Sequence, residues 1–367
     1  MIKKLRFLFI VLIFFNSFSQ SPILSDKATV SILTCGKGNE LYTVFGHTAI
    51  RIKDSINNVD AVYNYGAFDF RVENFYLKFV KGDLQYFIGA SSYEEFLYEY
   101  QQENREVIEQ YLNFSTAKKQ ELFDKLNTSL FSEERNYTYK FIDRNCTTMV
   151  VDKINETIGI KSIKKIDKTT ISYRTVLYPY FENHFWYKLG INVIFGSKTD
   201  KESKQLFLPI ELLHSLDKAN ISGKPLVYKT ENVIKNTTVE EKFSFFNSIY
   251  FVSLLLFILV LLNNKILNLS YLFILGLFGL FFCLVGFYSF HKELLWNYNA
   301  LLFNPLYLFL PFIKSLKWFK YCLIAIVLCL IAYIIIMLNK PHLILVIPFI
   351  LANFYILWKL YLGKKAI

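Results

Sequence analysis

Acidic side chains all but vanish from the last third of the sequence: Glu293 is the one Asp or Glu between residues 245 and 367, against nine lysines. That composition reads as membrane-spanning chain rather than as a water-exposed domain. Cysteine is scarce too, with five in 367 residues. None follows the apolar run at the N-terminus, so the chain is not expected to be itself a lipoprotein of the usual kind. Cys283, Cys322 and Cys329 fall in apolar stretches and read as small hydrophobes. Only Cys35 and Cys146 remain for an oxidising exterior, which limits disulfides there to a single bond. Missing as well is any basic excess on the part that folds in water. The formal charge is +11, but three of those charges lie in residues 1–20 and eight in residues 245–367. Residues 21–244 balance at 29 basic and 29 acidic. A nucleic-acid footprint needs a local excess, so no nucleic acid is expected as a partner. No internal repeat or low-complexity stretch is evident.

What is present is a succession of hydrophobic stretches. "MIKKLRFLFIVLIFFNSFSQ" carries Lys3, Lys4 and Arg6, then an apolar run, then Ser17-Phe18-Ser19, with small residues at the −3 and −1 positions before Gln20. That is the pattern of a secretory signal peptide over residues 1–19, the run being short for a membrane span. Five later stretches hold no Asp, Glu, Lys or Arg: residues 243–264, 266–290, 294–313, 321–339 and 341–358. Each approaches the ~20 apolar residues that cross a bilayer. The third is interrupted by Asn297, Asn299, Asn304, Pro305 and Pro311, and lysine bias decides its reading. With five spans, Lys265, Lys314, Lys317, Lys320, Lys359, Lys364 and Lys365 lie on the cytoplasmic side, and only Lys292 and Lys340 outside. With four spans the split inverts. The expected organisation is a signal peptide (1–19), an exported domain (20–240) and an all-α bundle of about five transmembrane helices (243–361).

Within the exported part, "ATVSILT" (28–34), "TAIRI" (48–52) and "DAVYNY" (60–65) are β-branched and aromatic runs, read as strands. Residues 92–112 and 115–130 carry apolar residues at roughly helical spacing, the second behind a Ser115 N-cap. In 146–159, Met149, Val150, Ile154 and Ile158 form a helical stripe that Gly159 stops, and Asn145 is a good N-cap. Residues 160–240 are polar with scattered aromatics and read as the approach to the membrane. Strands followed by helices suggest an α+β domain. This layout puts Cys146 in a helix's first turn, where orphan N–H groups and the dipole favour a thiolate. His47 opens a strand in which Ala49 and Arg51 share its face. Were strand and helix to pack, the imidazole would serve as base to the thiol. A structural Cys35–Cys146 disulfide is the competing reading.

The segments "TCGKGNELYTVFGHTAIRI" (34–52), "YNYGAFDF" (63–70) and "DRNCTTMVVD" (143–152) together resemble the periplasmic domain of the Lnb-type lipoprotein N-acyltransferases. "HKELLWNYNALLFNPL" (291–306) is similar to that family's other recurring stretch. The resemblance implies a circularly permuted papain-like fold of the kind shared with NlpC/P60 relatives and lecithin:retinol acyltransferase. In those the histidine precedes the cysteine, which sits in an "NC" pair opening a helix. It implies His47 as base, Cys146 as nucleophile and Asn145 as the residue of the pair. The orienting third residue is left open among Tyr65, Asn64 and Asp69. Arg51 is a candidate to hold a lipid phosphate through paired hydrogen bonds, with a salt bridge as the alternative. His291, Glu293 and Asn297, at the outer membrane face in the five-span reading, are candidate substrate-binding residues, with an interfacial loop anchored by Trp296 and Tyr298 as the alternative.

The expected activity is acyl transfer from a membrane phospholipid, through a Cys146 thioester, to the α-amine of a diacylglyceryl-cysteine lipoprotein. Neither metal nor cofactor is implied, and the expected location is a bacterial inner membrane with the catalytic domain in the periplasm. Two other classes fit the residues: a membrane-anchored cysteine peptidase or amidase acting on cell-wall peptides, and a non-catalytic scaffold closed by the disulfide.

Overall fold

Strand-forming alternation organises the first half of the chain, in which buried Ile50 and Ile52 alternate with Ala49 and Arg51 along one strand. The computed structural model describes residues 22–221, 223–235 and 243–365; the leader expected over 1–19 lies outside them. In order come β1 (Thr29–Cys35), β2 (His47–Asp54), β3 (Val59–Ala67), α1 (Phe75–Lys81), β4 (Gln85–Ser92), α2 (Tyr93–Gln102) and β5 (Val107–Leu112). They are followed by α3 (Thr116–Phe131), β6 (Asn136–Thr138) and α4 (Cys146–Ile158). After these come α5 (Tyr173–Leu177), α6 (Phe185–Ile194), α7 (Pro209–Lys218), the small pair β7 (Asn220–Ile221) and β8 (Lys224–Pro225), and β9 (Val227–Ile234). One seven-stranded sheet, in the order β6-β4-β3-β2-β1-β5-β9, pairs antiparallel throughout.

The strand's two faces meet different helices. Ile32, Ile50, Ile52, Tyr63, Tyr65 and Ile88 pack against Leu122, Phe123 and Leu126 of α3 and Val150 and Ile154 of α4. Leu33, Cys35, Ala49 and Val62 pack on the other face against Phe96 and Tyr100 of α2. Each such large apolar side chain stabilises the fold by roughly 1.5–3 kcal/mol when buried, so the sheet's centre is a rigid support for whatever its strand ends carry.

Two expectations change. The single helix expected over 92–112 is α2 and then strand β5. Asn104, at φ 51, turns the chain between them. Val107 to Tyr111 then pair with Cys35 to Ser31 of β1. A β-branched pair at Val107-Ile108 suits that ladder better than a helix interior. Residues 160–240 are more than an approach: Val176, Leu177, Phe181, Phe207 and Leu208 form a further core with Val44, Ile142, Val285 and Leu294. That core joins the sheet domain to the apolar helices.

The apolar part has α8 (Ile249–Leu262), α9 (Lys265–Tyr288), α10 (Leu316–Met337) and α11 (Leu343–Lys365). Three of them, α9 to α11, are long and apolar enough to cross a membrane. With 14 residues, α8 reaches only about 21 Å at 1.5 Å per residue. The third expected span, 294–313, is not an α-helix. It is drawn out into short 3-10 turns at Lys292–Leu294, Tyr298–Leu301 and Pro305–Phe309. The cause is local. Asn297 and Asn304 turn their side-chain oxygens onto the N–H groups of Asn299 and Leu306, both at 2.9 Å. Pro305 and Pro311 add no N–H at all.

This stretch runs back along α9. Leu295 meets Gly286, Phe303 meets Gly279 and Leu308 meets Gly276. Alongside α10, Tyr333 donates to Asn299 Oδ1 at 2.7 Å, and farther down Cys322 lies 4.0 Å from the Leu306 carbonyl. The C-terminal ends of α9 and α10 point to the sheet domain. Phe290 N–H donates to the Lys81 carbonyl at 2.7 Å, and Lys340 pairs with Asp200 at 2.8 Å. Lys265 and Lys317 lie at the opposite ends of those helices.

Candidate active site

The beginnings of β2 and α4 meet. Asn145, in extended conformation, ends the loop and caps α4: its Oδ1 accepts from Thr148 N–H at 3.0 Å, and Thr148 Oγ1 accepts from Asn145 N–H at 2.8 Å. Its Nδ2 donates to the carbonyls of Phe141 (2.9 Å) and Phe207 (2.8 Å). A buried amide that uses its donors and its acceptor this way holds the entering loop at one place. Cys146 therefore becomes the first residue of the helix. Thr147 Oγ1 reaches Thr48 Oγ1 at 3.2 Å and pins the start of α4 to β2.

From the strand side, His47 is hydrogen-bonded to Cys146 and, through Nε2, to Asn64 Oδ1 at 3.2 Å. An amide oxygen only accepts, so Nε2 carries a proton and donates, which leaves Nδ1 to face the sulfur. Asn64 Nδ2 donates in turn to the Val62 carbonyl at 3.4 Å. The sulfur also receives the Thr48 N–H, and Thr147 Oγ1 stands 4.0 Å away. Burial pushes the Cys146 thiol up, but the His47 charge, its hydrogen bond and the two threonine contacts outweigh it, and the net shift is below 9.0. For His47 burial pulls down, while the charge and hydrogen bond of Cys146 and the bond to Asn64 pull up; the net shift is above 6.5. Both directions favour a thiolate–imidazolium pair. Cys146 and His47 are each only partly buried, so a reagent can reach them.

Gly66, at φ 95, passes close to this pair: a Cβ there would lie 3.6 Å from Cys146 Cβ and 4.0 Å from the Tyr137 hydroxyl. Tyr137 is buried, and its hydroxyl has no hydrogen-bond partner among the described residues. Its phenol is pushed well above 10 by burial first and by the Cys146 charge next, so it stays a proton donor. Tyr137 and the threonines 48 and 147 were not singled out by sequence reasoning. Tyr137 arrives through the pairing of β6 with β4, a contact that no short motif announces.

The other candidates are placed as follows. Of the three proposed orienting residues, Asn64 touches His47. Tyr65 is buried with its ring 6.2 Å from Tyr137, and Asp69 is gripped by Arg71 at 2.7 Å. Arg51 lies in the interior rather than at a lipid-facing surface. It donates to Asp60 at 2.7 and 2.8 Å and to Glu109 at 3.0 and 3.1 Å, with the Tyr93 ring 3.2 Å from its guanidinium. Those carboxylates occupy the fork expected to bind phosphate, and the salt bridge is what forms.

His291, Glu293 and Asn297 dock the domain to the apolar helices. His291 Nε2 donates to the Phe79 carbonyl at 2.7 Å. Buried Glu293 accepts from Lys198 at 2.9 Å, and Lys198 also reaches Asp143, three residues before Cys146. Asn297 Nδ2 donates to the Val193 and Ile194 carbonyls at 2.9 Å. Cys35 is buried, its thiol pushed up to about 12 chiefly by burial, and both it and Cys146 are free thiols. Among the described residues no three His, Cys, Asp or Glu side chains are grouped to hold a metal ion.

A mixed α/β domain that pairs a thiol with an imidazole at its surface, carried on helices apolar enough to cross a bilayer, defines a class of membrane protein with a water-facing domain. Residues 14–177 match the family described as the Lnb N-terminal periplasmic domain. That match makes residues 14–177 a domain of the Lnb type, a periplasmic domain that points to lipoprotein processing at a membrane. The match takes in His47, Asn64, Tyr137 and Cys146 and ends with α5, ahead of the apolar helices. Among curated proteins and among solved structures nothing matches the chain.

Proposed function

We propose that the protein is a lipoprotein N-acyltransferase of the bacterial inner membrane. The observation that carries this reading is the His47–Cys146 pair, oriented by Asn64, in a domain that docks on the ends of α9 and α10 through Lys81–Phe290 and Asp200–Lys340 contacts. The Cys146 thiolate attacks an ester carbonyl of a membrane phospholipid. The ester C–O bond breaks, the lysophospholipid leaves as an alcohol with the proton from imidazolium His47, and an acyl thioester forms on Cys146. His47 then takes a proton from the α-amine of a diacylglyceryl-cysteine as that amine attacks the thioester. The C–S bond breaks, the thiolate returns, and an amide-linked third chain is left on the lipoprotein. The Cys146 N–H at the start of α4 and the Tyr137 hydroxyl are the donors for the oxyanion of both steps. The histidine-first order, with the cysteine opening a helix packed on an antiparallel sheet, supports a permuted papain-like arrangement. A disulfide-closed scaffold loses its motive, since Cys35 and Cys146 are both free.

The test is mass spectrometry of a lipoprotein's N-terminal peptide from cells with the protein, without it, and with Cys146→Ser. The amide-linked chain should appear only with the intact protein. Equal N-acylation in cells making folded Cys146→Ser protein would end this reading.

A further inference from the structure

α1 is a short helix with an unusual surface. Its sequence "FYLKFVK" has no acidic residue, and basic Lys78 and Lys81 lie in its last turn. Tyr76 is 76% exposed and Leu77 61%, with Phe79 and Val80 exposed beside them. Water-facing surfaces tolerate single apolar residues, but four within five positions make a contiguous patch that needs a partner.

The chain itself says where that patch lies. The last carbonyls of a helix have no partner inside it. Here the end of α9 supplies them: Ser289 Oγ donates to the Val80 carbonyl, Phe290 N–H to Lys81 and His291 Nε2 to Phe79, each at 2.7 Å. Lys140 Nζ adds a bond to the Gly82 carbonyl at 2.9 Å. Gly82, at φ 75, ends the helix, and a Cβ there would meet His291 at 3.0 Å, so the cap and the docking need the same glycine. α1 is thereby locked level with the domain-side end of a 24-residue apolar helix. Phe287, Tyr288 and Phe290, at that same end, are exposed and continue the patch.

We infer that α1 lies in the headgroup and upper acyl region of the membrane that α9 crosses, and that its occupant is lipid. Lys78 suits the phosphate level, beside Lys81 in its pair with Asp83, and the aromatic and aliphatic side chains suit the region below it. The patch is also the outer end of a track to the thiol. Ring contacts run from Tyr76 to Phe75 (5.4 Å), to Phe68 (5.9 Å), to Tyr86 (5.2 Å) and to Tyr139 (4.4 Å). Tyr139 is close enough to Cys146 for the sulfur's charge to raise its phenol, after burial. Phe75 and Tyr86 are buried and Phe68 and Tyr139 half-buried, so an acyl chain lifted at α1 reaches the sulfur by parting these rings. This last step rests on the proposed acyl transfer; the membrane contact of α1 does not.

The experiment places tryptophan at Leu77 in the full-length protein, reconstituted in phosphatidylethanolamine vesicles, and takes the difference from wild type. Lipids brominated near the top of the acyl chain should quench the added emission by half or more. An added emission at the wavelength of water-exposed indole, unquenched, would overturn the inference. So would blue-shifted emission that bromolipid leaves untouched, since a protein partner would then cover the patch. In parallel, Tyr76→Asp with Leu77→Asp should slow Cys146 acylation from vesicle phospholipid about tenfold or more, while Cys146 alkylation by iodoacetamide keeps its rate. Unchanged acylation in that variant would refute the track. Absence of acyl-enzyme in the wild type would instead strike the proposed function and leave the quenching result standing.

Discussion

At the scale of single residues, the site is an argument between burial and partnership. An apolar enclosure alone would hold the Cys146 thiol neutral, as it does Cys35, which is pushed to about 12. His47 reverses the sign for Cys146. The acid limb of Cys146 alkylation by iodoacetamide should therefore have its midpoint below 9.0, because the thiolate appears as pH rises through the lowered value. His47→Gln removes the charge and leaves burial as the largest influence, so the midpoint should move above 9.0. A midpoint that stays in place in that variant would show the imidazole has no part in ionising the sulfur. Much of this was legible beforehand: the "NC" pair, the helix start and the strand parity are local patterns. The choice of Asn64 over Tyr65 and Asp69 was not legible. It depends on where β3 pairs against β2, and a one-residue slip would have exchanged Asn64 for Tyr65. Arg51 shows the same limit, since its partner Glu109 sits on a strand that sequence reasoning assigned to a helix.

Among the elements, α4 is the one whose placement the site cannot do without, and a single amide governs it. Asn145 caps the helix and ties its loop to Phe141 and Phe207. Asn145→Ala should cost about 1 kcal/mol for the cap and a similar amount for the two tethers, whose carbonyls lose their donor. Thermal unfolding should register a lowered midpoint. The acid limb of Cys146 alkylation should move to higher pH as the sulfur drifts from His47. A variant as stable as the wild type would mean the loop is held by other contacts. The caps at Ser115, Asn145 and Gly159 could be read in the sequence because capping is a matter of three or four adjacent residues. The break between α2 and β5 could not, since helical and strand spacings overlap in short apolar runs and the ladder with β1 decides.

For the whole molecule the open issue is how the chain crosses the membrane, and stretch 291–315 is where it turns. Lysine bias asks for a crossing there, while asparagines and prolines forbid a helix. An extended path alongside α9 would meet both demands. From Leu295 to Leu308 the chain passes from Gly286 to Gly276 of α9, a descent of about 15 Å at 1.5 Å per residue. Irregular backbone at that depth is tolerable only inside protein. Leu302, Phe303, Tyr307 and Leu310 are indeed buried, and Asn353 donates to the Leu302 carbonyl and to Tyr307. The third crossing is thus proposed to be extended chain sheathed by α9, α10 and α11. Two measurements bear on it. A reporter active only outside the membrane should be silent when fused after Gly363 and active when inserted near Lys340. Cysteine placed at Ser315, in protein whose other reactive thiols are blocked, should react with an impermeant maleimide only from the cytoplasmic face. Labelling of that cysteine from outside would return residues 291–315 to an outer loop and leave α10 starting on the wrong side. The lysine split would then have to be explained without a third crossing, while the contact of His47 with Cys146 would be unaffected.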